Sequence, residues 1–428
     1  MLAVTKALGE TTMSEQQHAS ALGDRDNRAA AVPTAAPAMP YARQRSPRRS
    51  TSRRRTFWLV LIVVPLVVVT IVALMLAGAV QSGQTGAVPS GSFPPTGTRA
   101  TGPAPPIHSS VSVRAAKVRI YKVSPPNAGL MLPTVDRRGD IWFGEMATNQ
   151  LARLDARTGT ITSWTPPNGE GGIMGTMVDA GGNVWFAEQN ANYIGRFDPA
   201  RQTFGIYSLG SGKDHRVGLE DLQFDASGQL WFTETVAGRI GRLNPASGAI
   251  QTWVVPASAP GTASYPFGLA ITHDGQVWFG TYSGGVVGHL DLTSGRVLLY
   301  HLANSAEQIY SLATDDRGRR IWYTELQFGK LGMIDTTTGK VTELPVPTAL
   351  GNPEDLHSIA VANGDIWFTS SGANALVRYS PDDGAFTFLR LPVPGSIPFG
   401  LALGSANTLW FTAGGNPVNY IGELTISS

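Results

Sequence analysis

Asp355 and His357 are the residues of this chain best placed by type and spacing to move a proton. A neutral imidazole oriented by a carboxylate is a competent general base near neutral pH. The two sit at the start of an apolar run, Leu356 to Val361. Alternation along a strand sends residues two apart to one side. A carboxylate and an imidazole so placed can act on one ion or one proton. Asp355 and Glu325 offer the oxygen ligands that Mg²⁺ or Ca²⁺ prefers. The bland alternative is a structural histidine and glutamates that cap loop amides, since a residue type that recurs in every repeat is usually a fold device.

What must position these residues is a repeat. Seven Trp-aromatic pairs recur through the chain: Trp142-Phe143, Trp185-Phe186, Trp231-Phe232, Trp278-Phe279, Trp322-Tyr323, Trp367-Phe368 and Trp410-Phe411. Their spacing of 43 to 47 residues indicates a ring of like supersecondary units. Residues 218 to 256 show one unit: Leu219 to Phe224, an Asp-Ala-Ser-Gly turn, Leu230 to Glu234, Ile240 to Leu243, an Asn-Pro-Ala-Ser-Gly turn, and Ile250 to Val255. This reads as four antiparallel strands, A to D. The fold class is therefore all-β, a seven-bladed β-propeller over residues 118–428. The seventh unit ends after strand C, at Tyr420 to Leu424, and Val118 to Val123 precedes the first unit as an orphan strand. The two are expected to pair and close the ring, removing an exposed edge.

Chain direction places A-strand starts and B-strand ends on one face of the ring. The starts are Met131, Met174, Glu220, Phe267, Tyr310, His357 and Phe399, and the ends are Glu145, Glu188, Glu234, Thr281, Glu325, Ser370 and Ala413. All fourteen are expected at one mouth. Glu220, Phe267 and Phe399 are the candidate substrate-binding residues there, the two phenylalanines as apolar walls.

The chain has no cysteine, which excludes a thiol nucleophile, a zinc–thiolate centre and a disulfide framework. Its net charge of +2 says little, because an Arg-rich tail biases it. Residues 1–56 have little with which to build a core and read as a disordered basic cytoplasmic tail. Residues 57–80 carry no charge and follow seven arginines between Arg43 and Arg55. That pattern predicts an uncleaved transmembrane helix, with the N-terminus in the cytoplasm and the propeller outside the plasma membrane. Residues 81–117, rich in Gly, Pro, Ser and Thr, read as a linker. A monomer without nucleic-acid binding is expected.

The unit Gly228-x-x-Trp231-Phe232-Thr233-Glu234, then Ile240-Gly241-Arg242-Leu243 and Asn244-Pro245-x-x-Gly248, resembles the virginiamycin B lyase (streptogramin lyase) family. The resemblance spans the propeller. It implies a lyase that opens the ester of a cyclic depsipeptide antibiotic by elimination, with a divalent cation such as Mg²⁺ polarising the carbonyl and a His removing the adjacent proton. His357 and Asp355 match the family's second His and the acid before it. Tyr310 stands where the family places its first His, and Ser370 where it places a Glu. Two further readings stay open at this stage. One is a non-catalytic propeller binding a peptide, glycan or protein partner at its mouth. The other is a lactonase, which would need a Glu, Asn and Asp cluster around one ion.

Overall fold

Strands of this chain are short, four to seven residues in most cases, and bounded by Asx and Gly turns that fold each back on the last. The computed structural model describes residues 110–167, 171–210, 216–315, 317–405, 407–414 and 419–426. The expected tail, the expected membrane span at 57–80 and most of the expected linker lie outside these residues. Among the described residues no helix is long and apolar enough to cross a membrane. They form seven sheets. Blade 3 shows the pattern, with A Leu219–Phe224, B Leu230–Glu234, C Arg239–Leu243 and D Ile250–Val254 in antiparallel order. Blade 7 completes itself as the sequence predicts. Val118–Val123 pairs antiparallel with Asn419–Thr425, from Val118 opposite Leu424 to Val123 opposite Asn419.

One strand is unexpected. Val111–Ala115, inside the stretch read as linker, lies parallel to Ala385–Arg390 and gives blade 6 a fifth strand. Its side chains stay largely outside, with Val111 43% and Val113 46% exposed. Backbone hydrogen bonding rather than burial holds it, so apolar patterning gives no sign of it.

The repeated residues each have a structural task. An Asp at the A–B turn caps turn amides with one oxygen and takes the indole N–H of the Trp six residues on with the other. The pairs are Asp136–Trp142 at 3.0 Å, Asp179–Trp185 at 2.9 Å and Asp225–Trp231 at 2.8 Å. The aromatic after each Trp lies opposite a C-strand glycine in five blades, as Phe232 does opposite Gly241. The Thr that follows bolts neighbouring blades together. Thr324 Oγ1 donates to the His357 carbonyl at 2.6 Å and accepts from the Ser311 amide at 3.3 Å. Thr369 donates to the Phe399 carbonyl at 2.9 Å, and Thr233 to the Phe267 carbonyl at 2.7 Å. Replacing Thr324 by Val keeps the shape and removes both bonds. Chemical denaturation of Thr324→Val should show a loss of about 1–3 kcal/mol, the cost of leaving buried partners unsatisfied.

Candidate functional site

The site is built by a kink repeated in the innermost strands. In blades 2 to 7 the pairing of strand A with strand B slips just after the first residue pair. A slip of this kind bends the strand and re-aims a side chain. The first residue of each slip is Met174, Glu220, Phe267, Tyr310, His357 or Phe399, the predicted A-strand positions. The next is Gly175, Asp221, Gly268, Ser311, Ser358 or Gly400. In five of these six it is Gly or Ser, because the adjacent inner strand passes close by. A Cβ on Gly175 would lie 2.8 Å from the Glu220 carbonyl oxygen, and one on Gly400 would lie 2.9 Å from the Leu132 Cα.

Four of the predicted residues meet as one aromatic cluster. The Tyr310 ring lies 4.7 Å from Phe267, 5.0 Å from His357 and 5.7 Å from Phe399, and His357 lies 4.6 Å from Phe399. Tyr282 adds a fifth ring, 5.2 Å from Phe267. Tyr310 is buried, whereas Phe267, Tyr282, His357 and Phe399 keep partial exposure. Burial pushes the His357 imidazole down to about 3, so it is neutral at pH 7. Its Nδ1 has no hydrogen-bond partner. Burial, with Glu220 as the next cause, holds the Tyr310 hydroxyl well above its usual range.

The acids fall elsewhere than the spacing suggests. Asp355 precedes its strand, Leu356–Ala362, and has a positive φ of 60°, so strand alternation does not apply to it. Its side chain is exposed, and no hydrogen bond joins it to His357. Its carboxyl is raised by desolvation and by Glu354. Glu325 does not reach the mouth. It is fully buried and accepts the amides of Gln308 at 2.9 Å, Gln327 at 3.3 Å and Phe328. The B-strand ends are buried throughout, because the following loop folds over them. Glu145 takes the Thr148 hydroxyl at 2.8 Å, and Glu234 pairs with Arg239. Of the fourteen residues expected at one mouth, Phe267, Tyr310, His357 and Phe399 come together, whereas the B-strand ends are buried.

Glu220 begins the kink of blade 3 and is buried with Gln189 and Asp221 beside it. It is 2% exposed and accepts the Gln189 side-chain amide at 2.6 Å. Desolvation raises its carboxyl from 4.5 to about 8. Asp221 beside it accepts the amides of Leu222 at 2.8 Å and Leu269 at 2.9 Å, and burial raises it to about 6. The available signal was a break in the repeat, since Asp221 fills a position that is Gly or Ser in five other blades. An acid held above its unfolded value contributes stability in full below about 4.5, and that contribution is lost as pH rises through about 8. Glu220→Gln cannot ionise. Unfolding curves from about pH 4.5 to 8 should show the variant losing at least about 1 kcal/mol less than the parent over that range.

No group of three His, Asp or Glu among the described residues could hold a metal ion. Glu325 is consumed by amides, and the Ser370 hydroxyl accepts from the Ala373 amide at 3.3 Å. These described residues do not make a donor set that fits Mg²⁺. A depression of about 450 Å³ near Phe224, His273 and Thr314 contains none of the predicted site residues.

The fold and the axial cluster define a seven-bladed propeller with its candidate site at the A-strand starts. A sequence profile of the Virginiamycin B lyase family matches residues 110–363, and the chain belongs to that family. Among solved structures it is similar to selenomethionine-substituted virginiamycin B lyase from Staphylococcus aureus, at 25% identity and a TM-score of 0.64, covering 73% of this chain and 99% of that one. A streptogramin B lyase structure matches at 27% identity and a TM-score of 0.64, covering 72% and 97%. A catalytically inactive His-to-Ala variant of the S. aureus enzyme with quinupristin matches at 26% identity and a TM-score of 0.64, covering 73% and 99%. No curated protein matches.

Proposed function

We propose that this chain is a ligand-binding member of its family, taking a small, partly apolar molecule at the axial mouth. A cyclic depsipeptide fits this description, as does the aromatic end of a peptide or glycan. One observation carries the reading: Phe267, Tyr310, His357 and Phe399 meet as a contiguous aromatic surface with no carboxylate hydrogen-bonded to the imidazole. Such a surface offers contact area at little cost in side-chain entropy.

The lyase reading is kept as the second, on the strength of His357. It is neutral, has an unpartnered Nδ1 and occupies a position where the family carries a His. In that reading His357 takes the proton next to the ester carbonyl, and Tyr310 shapes the wall beside it. Mg²⁺ would supply Lewis-acid polarisation, but the residues present do not make its site.

One experiment separates the two. The protein is mixed with a type B streptogramin, with and without Mg²⁺, and both binding and ring opening are followed. Saturable binding without ring opening is the expected result. Ring opening that disappears in His357→Ala would put the lyase reading first, and no binding at all would remove the proposal.

The proposal includes a single-pass plasma-membrane anchor at residues 57–80, supported by their length and their lack of charge behind seven arginines. Protease added to intact cells should release the propeller and leave a small membrane-bound stub. A protected propeller would reverse the topology.

A further inference from the structure

We propose that the outer edge of blades 6 and 7 is a docking surface for the anionic lipid headgroups of the membrane in which the chain is anchored. This rests on the single-pass anchor at residues 57–80.

The charge of this edge begins in the sequence. Between Asp26 and Asp136 the chain has no acidic residue. Two strands fall in that stretch side by side on the outside of the ring: Val111–Ala115, the fifth strand of blade 6, and Val118–Val123, the outer strand of blade 7. They and the turn between them present Arg114, Lys117, Arg119 and Lys122, all exposed. Arg390, opposite Ala115, is exposed as well. The other outer strands differ. Ile161–Trp164, Thr203–Ser208 and Ile250–Val254, in blades 1 to 3, carry no charged residue. Arg296–His301 has one arginine, and Val341–Pro345 has one glutamate, which Lys330 holds at 3.2 Å. Five basic side chains thus gather on one side of the ring.

Nearby acids do little to offset them. Glu423 lies 3.9 Å from Arg119 and takes the Tyr121 hydroxyl. Arg119 still keeps 63% of its side chain exposed, with its guanidinium over the Tyr121 ring. Asp365 is paired with Arg378. Asp382 and Asp383 precede Ala385, at the end of the blade where Val111 begins, whereas the basic run starts toward the other end, at Arg114. Val111 and Val113, exposed on the same strand, add apolar contact. A surface both basic and apolar suits the headgroup region of a bilayer.

The origin of the chain selects the partner. Residues 81–109 join the expected span to this edge, and they can reach at most about 100 Å. They contain no acid to shield it. The edge is where the tether enters the propeller, so it is the part of the domain held nearest the lipid. An anionic bilayer attracts each Lys or Arg within a Debye length, which multiplies the ratio of docked to free domain roughly fivefold. The axial mouth lies on the innermost strands, so docking by an outer edge leaves it open.

The test uses the full-length chain, which has no cysteine of its own, reconstituted in vesicles. One dye is attached at the edge through Val113→Cys or, three blades away, through Val254→Cys, both exposed positions. Energy transfer to a rhodamine-labelled lipid is compared in phosphatidylcholine vesicles and in vesicles containing phosphatidylglycerol. Transfer from the edge should rise with the anionic lipid, and transfer from Val254→Cys should not. Salt at about 0.5 M, where the Debye length is about 4 Å, should abolish the rise. Arg114→Gln with Lys117→Gln should lower the docked-to-free ratio roughly 25-fold. No rise, an equal rise at both positions, or a rise that survives the double substitution in a protein of unchanged melting temperature overturns this inference and leaves the anchor reading standing. A chain that an alkaline wash strips from phosphatidylcholine vesicles has no anchor, and both fall.

Discussion

A chain that begins at Ser124 should not yield a soluble propeller, whereas one that begins at Ser110 should. The difference is Val118–Val123, the outer strand of blade 7. Without it the edge of Asn419–Thr425 lies open along its whole length. Tyr121 and Val123, both buried, leave a hole beside Trp410, whose ring centroid is 5.7 Å from that of Tyr121. The hydrogen bond from the Tyr121 hydroxyl to Glu423 at 2.9 Å is lost as well. An open edge of this length is a template for pairing with other chains. Size-exclusion chromatography should therefore show aggregate for the shorter chain and a monomer for the longer one. A chain beginning at Lys117 loses only the exposed fifth strand of blade 6 and should remain a folded monomer. Monomeric, fully folded protein from the chain beginning at Ser124 would show that closure is dispensable.

Adding a single methyl group to Gly241 should destabilise the protein about as strongly as removing a core side chain. Gly241 has no unusual φ, so the constraint is space. The Phe232 ring lies flat across its Cα, and a Cβ there would overlap the ring. The same contact recurs at Gly195, Gly288, Gly332 and Gly422. Overpacking of this sort costs about 1–3 kcal/mol, and Gly241→Val should exceed that and prevent folding. Gly241→Ala combined with Phe232→Leu should recover part of the loss, because the smaller side chain clears the Cβ. A Gly241→Ala variant with an unchanged melting temperature would remove the argument. Blades 1 and 6 carry Ala152 and Val377 opposite Phe143 and Phe368, so in those two blades the ring shares its cross-strand position with a side chain.

The ring of blades was legible because its signals are local and repeated. A Trp-aromatic pair must be buried on both sides, and Asp-x-x-Gly closes one kind of turn. The axial aromatic cluster was legible for the same reason, since counting from each Trp lands on Phe267, Tyr310, His357 and Phe399. Glu325 was not. Its type and position suggest a ligand, but loop amides from Gln308, Gln327 and Phe328 converge on it, and the path of those loops has no pattern in sequence. Asp355 misled through the assumption that the strand had already begun, when its backbone is still in a left-handed turn. Gln189 and Asp221 went unnoticed because each lies one residue past a position that the repeat draws attention to. Val111–Ala115 carried no signal, because a strand held by its backbone on an outer edge can have almost any side chains.

The two N-terminal strands also set a clock. They are the first described parts of the propeller to be synthesised and the last able to pair. Tyr121 must wait for Glu423, 302 residues later. At about 5–20 residues per second that is roughly 15 to 60 seconds of waiting. Val118–Val123 has no native partner for that whole time and Val111–Ala115 none until Ala385–Arg390 is made, although blades 1 to 5 can stack as they emerge. The most vulnerable interval in the life of this protein thus falls before its last residues have been made.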